Sequence, residues 1–168
     1  MMKIEYSDDL FTKEELKNTP KRHKKFIKEW VDDSLNFNFT TFESKIDEMI
    51  IIRGKFYSMC SHHLVPFFGD FYIGYIPNGK IAGLSKFSRT VNMFAHRPQV
   101  QEKLTDEIAT YLDDKLKPKG LIIIMKARHL CIEIRGIKTE GETTTSSLRG
   151  IYKTDSDARK EFLDLMRR

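Results

Sequence analysis

Apolar residues recur every third or fourth position in two central stretches of the chain and crowd into short β-branched runs elsewhere, which separates helices from strands. Segments 48–59 and 67–76 are rich in β-branched and aromatic residues, are set off by Pro66 and Pro77, and read as strands. Over 85–96, after Gly83-Leu84, Phe87, Val91, Phe94 and Ala95 fall at helical spacing. A second helix after Pro98 carries Val100, Leu104, Ile108, Leu112 and Leu116 every fourth residue and should stop near Pro118-Gly120. Segment 121–125 is a continuous apolar run of strand length. Segment 129–135 alternates, with His129, Cys131, Glu133 and Arg135 on one side and Leu130, Ile132 and Ile134 on the other, the pattern of a further strand. A last helix from about Ser156 would turn Ala158, Phe162 and Leu165 inward. Near the N-terminus, Thr19 as N-cap and Pro20 at the first helical position open a helix toward Asp33. The order β-β-α-α-β-β with a helix at each end predicts an α+β fold, an antiparallel sheet with helices on one face.

Composition narrows the class. The 168 residues hold enough apolar side chains for one core, so an arm over 1–18 and one domain over 19–168 are expected. The net charge of +5 arises from 29 basic and 24 acidic residues that are largely intermixed. The one dense basic run, Lys21-Arg22-His23-Lys24-Lys25, reads more simply as a solvated helix face than as a nucleic-acid patch, and nucleic acid is not an expected partner. The first residues lack an apolar signal core and no apolar run approaches membrane-spanning length. A reduced, cytoplasmic protein is expected, with both cysteines free rather than paired.

Those two cysteines change the picture. Cys60-Ser61-His62-His63 and His129-Leu130-Cys131 together hold a full set of soft metal ligands. Zinc takes thiolate and imidazole ligands tetrahedrally, and a hydrolytic site keeps three protein ligands and one water. Cys60, His63 and Cys131 would supply three, and the metal would lower the pKa of its water toward ~7. His62 and His129 are then left for proton transfer. Ordinary buried thiols and polar histidines are the plain alternative, weakened because both halves occur in one chain.

The two central helices carry anion and base candidates. Ser85 can cap the first, with Lys86 and Arg89 in its opening turns. A helix N-terminus already favours anions, and two added cations there suit a polyanion such as a triphosphate; an exposed basic helix start explains the same residues. In the second helix Gln101-Glu102 lies in the first turn, where a carboxylate could accept two hydrogen bonds from a guanine edge, although Glu is welcome there in any case.

The motifs Cys60-Ser61-His62-His63-Leu64-Val65-Pro66-Phe67, Ile73-Gly74-Tyr75-Ile76-Pro77, Gly83-Leu84-Ser85-Lys86, Arg97-Pro98-Gln99-Val100-Gln101-Glu102-Lys103-Leu104-Thr105, His129-Leu130-Cys131 and Arg135-Gly136 closely resemble the GTP cyclohydrolase I family. The resemblance runs from about Thr19 to the C-terminus. It implies the tunnelling fold, a four-stranded antiparallel sheet with two helices on one face plus flanking N- and C-terminal helices, and a homodecamer of two pentamers with active sites between subunits. It also implies that zinc on Cys60, His63 and Cys131 serves hydrolytic opening of GTP at C8, with release of formate and rearrangement to 7,8-dihydroneopterin triphosphate. His62 would then protonate the purine ring nitrogen and His129 would act on the ribose oxygen. Ser85 would contact the ribose, Gln101 and Glu102 would hold guanine, and Lys86, Arg89 and Arg135 would bind the triphosphate.

One position departs from the family. Ser61 stands where Glu is usual, so a carboxylate beside the metal is missing, and a slower proton-dependent step or a more acidic optimum is expected. Two other readings compete. A tunnelling-fold relative could act on a pterin or deazapurine, or a zinc-stabilised module could bind without turnover. A structural zinc site normally closes with four protein ligands, so an exchangeable water separates the module from the enzyme.

Overall fold

The computed structural model describes residues 11–31 and 37–167, which divide into two compact units between positions 32 and 33. The described residues of the first unit hold one helix, α1 (Lys13–Trp30). It starts earlier than Thr19-Pro20 suggests, because Thr12 and Glu15 form a reciprocal capping box. Two donors satisfied at Thr12 outweigh the local signal at Thr19, and Pro20 lies inside the helix. The expected end at Asp33 lies outside the described residues.

The second unit holds the remaining elements: β1 (Thr41–Glu43), β2 (Ile50–Cys60), β3 (Pro66–Ile76), β4 (Lys80–Ala82), α2 (Ser85–Ala95), β5 (Pro98–Gln99), α3 (Gln101–Leu116), β6 (Gly120–His129), α4 (Leu130–Glu133), β7 (Glu142–Gly150), α5 (Ile151–Thr154) and α6 (Ser156–Met166). Strands β2, β3, β6 and β7 form the expected four-stranded antiparallel sheet in that order. Two residues of β5 add a parallel edge beside Met59 and Cys60, and β1 pairs with β4 in a separate ribbon.

Alternation along β3 and β6 explains why the sheet is apolar on both sides. Phe67, Phe71, Ile73 and Tyr75 join Leu121, Ile123, Met125 and Ala127 under α2 and α3, where Leu104, Ile108, Leu112 and Leu116 are buried as their spacing predicts. The alternate residues Ile122 and Ile124 pack on the other face with Tyr152 and Phe162. The run at 121–125 is therefore continuous because β6 is covered twice. Gly74 permits that second layer, since a Cβ there would lie 2.5 Å from the Phe162 ring. In α6, Phe162 is buried and Ala158 packs inward, but Leu165 is exposed. Leu163 and Met166 take the inward place expected of it.

Three further differences bear on the site. Ser85 is the first residue of α2 and not its cap: the N-cap is Leu84, and no side chain caps the helix. Segment 129–135 is not a strand, because β6 ends at His129 and the chain turns into α4. Seven residues fit a period of two or of 3.6 almost equally well, and the turn is selected by Arg128, which donates to both carboxylate oxygens of Glu133 at 3.0 and 2.6 Å. The fourth strand is instead β7, whose Thr- and Ser-rich sequence offers no apolar alternation. Its inward residues Thr143, Thr145 and Ser147 meet the polar flank of α3.

Candidate active site

The site is built where strands end. β2 delivers Cys60, after which Ser61-His62-His63-Leu64 turns the chain. The Cys60 amide donates to Val65 O at 2.9 Å and the Leu64 amide to Cys60 O at 2.8 Å. Leu64 closes the turn at φ 53°, a left-handed conformation that costs a branched residue on the order of 1 kcal/mol and holds the two histidines at the rim. Two strands away β6 ends at His129, and the first turn of α4 brings Cys131 back beside Cys60, within hydrogen-bonding reach of its thiol. The start of α3 adds Gln101 and Glu102. A cavity of about 230 Å³ is lined by Cys60, His62, Gln101, Glu102, His129 and Cys131, with Gln99, Val100, Ile132 and Thr143 completing the wall.

Within it, Cys60 Sγ lies 3.6 Å from His62 Nδ1. His129 stacks on Phe67 with ring centroids 4.7 Å apart and planes 3° apart, and its Nε2 lies 2.6 Å from Gln101 Oε1. Gln101 is buried; Glu102, one residue on, is exposed at the cavity mouth. His63 is turned elsewhere, its Nε2 accepting from Arg135 Nη1 at 3.1 Å.

The basic start of α2 does not line this cavity. Ser85 and Arg89 are exposed, while Lys86 donates to Asn38 O at 2.8 Å and sits 5.5 Å over the Phe37 ring. The eleven sequence-derived candidates thus fall into three groups: six around the cavity, His63 with Arg135 beside it, and three on α2.

A family model described as GTP cyclohydrolase I matches residues 2–167. The chain belongs to the GTP cyclohydrolase I family. It is 47% identical over 159 residues to GTP cyclohydrolase 1 of Aquifex aeolicus, covering 92% of this chain and 86% of that protein. It is 44% identical over 162 residues to GTP cyclohydrolase 1 of Streptococcus thermophilus, covering 92% and 87%. Among solved structures, the apo form of the archaeosine synthase QueF-Like aligns with 59% of this chain and 92% of its own at 17% identity and a TM-score of 0.45. Among the described residues no helix is long and apolar enough to cross a membrane.

In this member of the GTP cyclohydrolase I family, burial favours the neutral forms of two cavity groups, His129 and Cys131. Burial holds the His129 imidazole below its ordinary range, opposed by the carboxylates of Glu102 and Glu133. Burial also raises the Cys131 thiol, and the adjacent Cys60 thiol raises it further. A buried Cys131 thiol beside a second thiol is a donor pair that suits a soft divalent cation, because the cation offsets the charge that burial and proximity penalise. Among the described residues no three His, Cys, Asp or Glu side chains stand close enough to hold a metal as placed, since His63 faces Arg135. The donor chemistry of the thiol pair suits zinc.

Sequence reasoning overlooked Gln99 and Thr143. Gln99 is buried, pairs across β5 with Cys60, and donates through Nε2 to Phe94 O at 3.1 Å and to Glu107 Oε2 at 2.8 Å. Its signal was the repetition of glutamine at 99 and 101, two polar residues of the same type flanking a helix start. Thr143 carried no comparable signal within its run of three threonines.

Proposed function

We propose that this chain opens GTP hydrolytically at C8, releases formate and rearranges the product to 7,8-dihydroneopterin triphosphate in the cytoplasm. The observation that carries the reading is the convergence of two thiols, two imidazoles and the Gln101-Glu102 pair on one cavity. Cys60, Cys131 and His63 would hold the zinc, His63 leaving Arg135 to do so. Bound there, zinc would lower the pKa of water and make a hydroxide available near neutral pH.

The remaining steps fall to the chain's own groups. Glu102, exposed at the mouth, accepts hydrogen bonds from the guanine edge. His62 delivers a proton to the ring nitrogen as the imidazole ring opens, and His129 moves a proton at the ribose oxygen. Ser85 contacts the ribose, and Lys86, Arg89 and Arg135 bind the triphosphate. Because α2 does not line the cavity of its own chain, the basic helix start is supplied by a neighbouring copy, in a homodecamer of two pentamers.

Incubating the zinc-loaded protein with GTP tests this directly. Formate and the pterin triphosphate should appear together by mass spectrometry and be lost with Cys131→Ala and with chelator. Unchanged GTP in the zinc-loaded sample would contradict the reading.

A further inference from the structure

Gln101 is 1% exposed, and every polar atom of its side chain is engaged. Its Nε2 lies 3.0 Å from Met125 O, 3.0 Å from Thr143 O and 3.1 Å from Thr145 Oγ1. Two of these are backbone carbonyls, which only accept. The third is made an acceptor by its own neighbours: Thr105 donates to Gln101 O at 2.8 Å, so in the 2.7 Å contact between hydroxyls Thr145 is the donor to Thr105. That leaves the Thr145 oxygen free to receive from the amide. The orientation of the amide is therefore determined three times over, and Oε1 must face His129.

A carbonyl oxygen 2.6 Å from His129 Nε2 requires a proton on that nitrogen. The ring is also held in plane by Phe67, whose ring is stacked 3° from parallel. Nδ1 is then the nitrogen that remains for chemistry. We propose that Gln101 is a positioning residue for His129, fixing its Nε2-protonated tautomer so that Nδ1 exchanges the proton with substrate, and does not itself hold the base. The inference rests on the reaction proposed above for the role of Nδ1, while the tautomer stands on the geometry alone. Partners of this kind, which orient a working imidazole, typically contribute about 10- to 100-fold.

The test is made on the zinc-loaded protein with 15N-labelled histidine, the His129 resonance being assigned by its loss in His129→Asn. Above neutral pH, the wild-type spectrum should show a protonated Nε2 and an unprotonated Nδ1; the opposite tautomer would overturn the proposal without reference to turnover. In Gln101→Met the tautomers should mix, kcat for GTP should fall about 10- to 100-fold and KM should stay within about threefold. A raised KM with kcat intact would make Gln101 a base-binding residue and overturn the proposal. If Gln101→Met does not fold, the wild-type spectrum decides alone. If wild-type protein with the expected tautomer releases no formate, the proposed reaction fails and the positioning of His129 stands.

Discussion

The cavity at the ends of β2 and β6 and the basic start of α2 belong to one compact unit but differ in how far that unit builds them. Around the cavity, side chains are buried and mutually constrained: His129 between Phe67 and Gln101, Cys131 against Cys60, Gln101 across α3, β6 and β7. On α2, Ser85 and Arg89 face solvent, and Lys86 spends its charge on a backbone carbonyl. A preorganised site stabilises charge that develops during reaction, whereas loose cations contribute little until a ligand or neighbouring surface restrains them. The proposed function turns on this difference, with proton chemistry in the cavity of one chain and polyanion capture where a neighbouring copy would bring its α2.

The largest effect should come from removing half of the thiol pair. Cys131→Ala should abolish formate release and reduce bound zinc from about one per chain to near none, measured by elemental analysis of the folded protein. His129→Ala should keep the zinc and lower kcat by about 10²- to 10⁴-fold, as expected for a positioned acid–base group. The contrast between these two variants separates metal holding from proton transfer within the cavity.

On the α2 side the effect should be smaller and of another kind. Lys86→Ala or Arg89→Ala should raise KM for GTP about 10-fold while leaving kcat near its original value, since each removes one charge-assisted contact to phosphate. Added salt should mimic the change. A fall in kcat with KM unchanged would place these residues in the chemistry and erase the distinction.

The smallest effect concerns the scaffold behind the cavity. Asp106 accepts from Arg149 at 2.7 Å and from Ser147 at 3.0 Å, and these bonds hold its carboxyl below the ordinary 3.8. A carboxyl depressed in the folded state adds stability above its unfolded value, and that stability is lost as pH falls through the folded one. Asp106→Asn should therefore lower the melting temperature slightly at neutral pH and flatten its decline below pH ~3.8. Formate release should not change.

Much of this was legible in the sequence, for physical reasons that differ by element. α3 could be read because Leu104, Ile108, Leu112 and Leu116 repeat at a period only a helix satisfies, and all four are buried. β6 could be read as a strand but not its end, because the decision to turn at His129 rests on a bidentate pair between Arg128 and Glu133 that local periodicity does not encode. β7 was invisible because its inward face is polar, its hydroxyls satisfied by Gln101, Thr105 and Asp106 from a helix some forty residues away. The thiols and imidazoles of the cavity were legible from their chemistry. The commitment of the Gln101 amide was not, because its acceptors lie on β6 and β7, both far along the chain.

The most direct test of the division between cavity and basic helix start is complementation between chains. Cys131→Ala and the double variant Lys86→Ala, Arg89→Ala should each release almost no formate from GTP held well below KM. Unfolded together and reassembled with zinc, the two should regain activity, because some junctions then combine an intact cavity with an intact α2. Mixed assemblies that form, bind zinc and still release no formate would contradict the account, placing both halves of the site on the same chain.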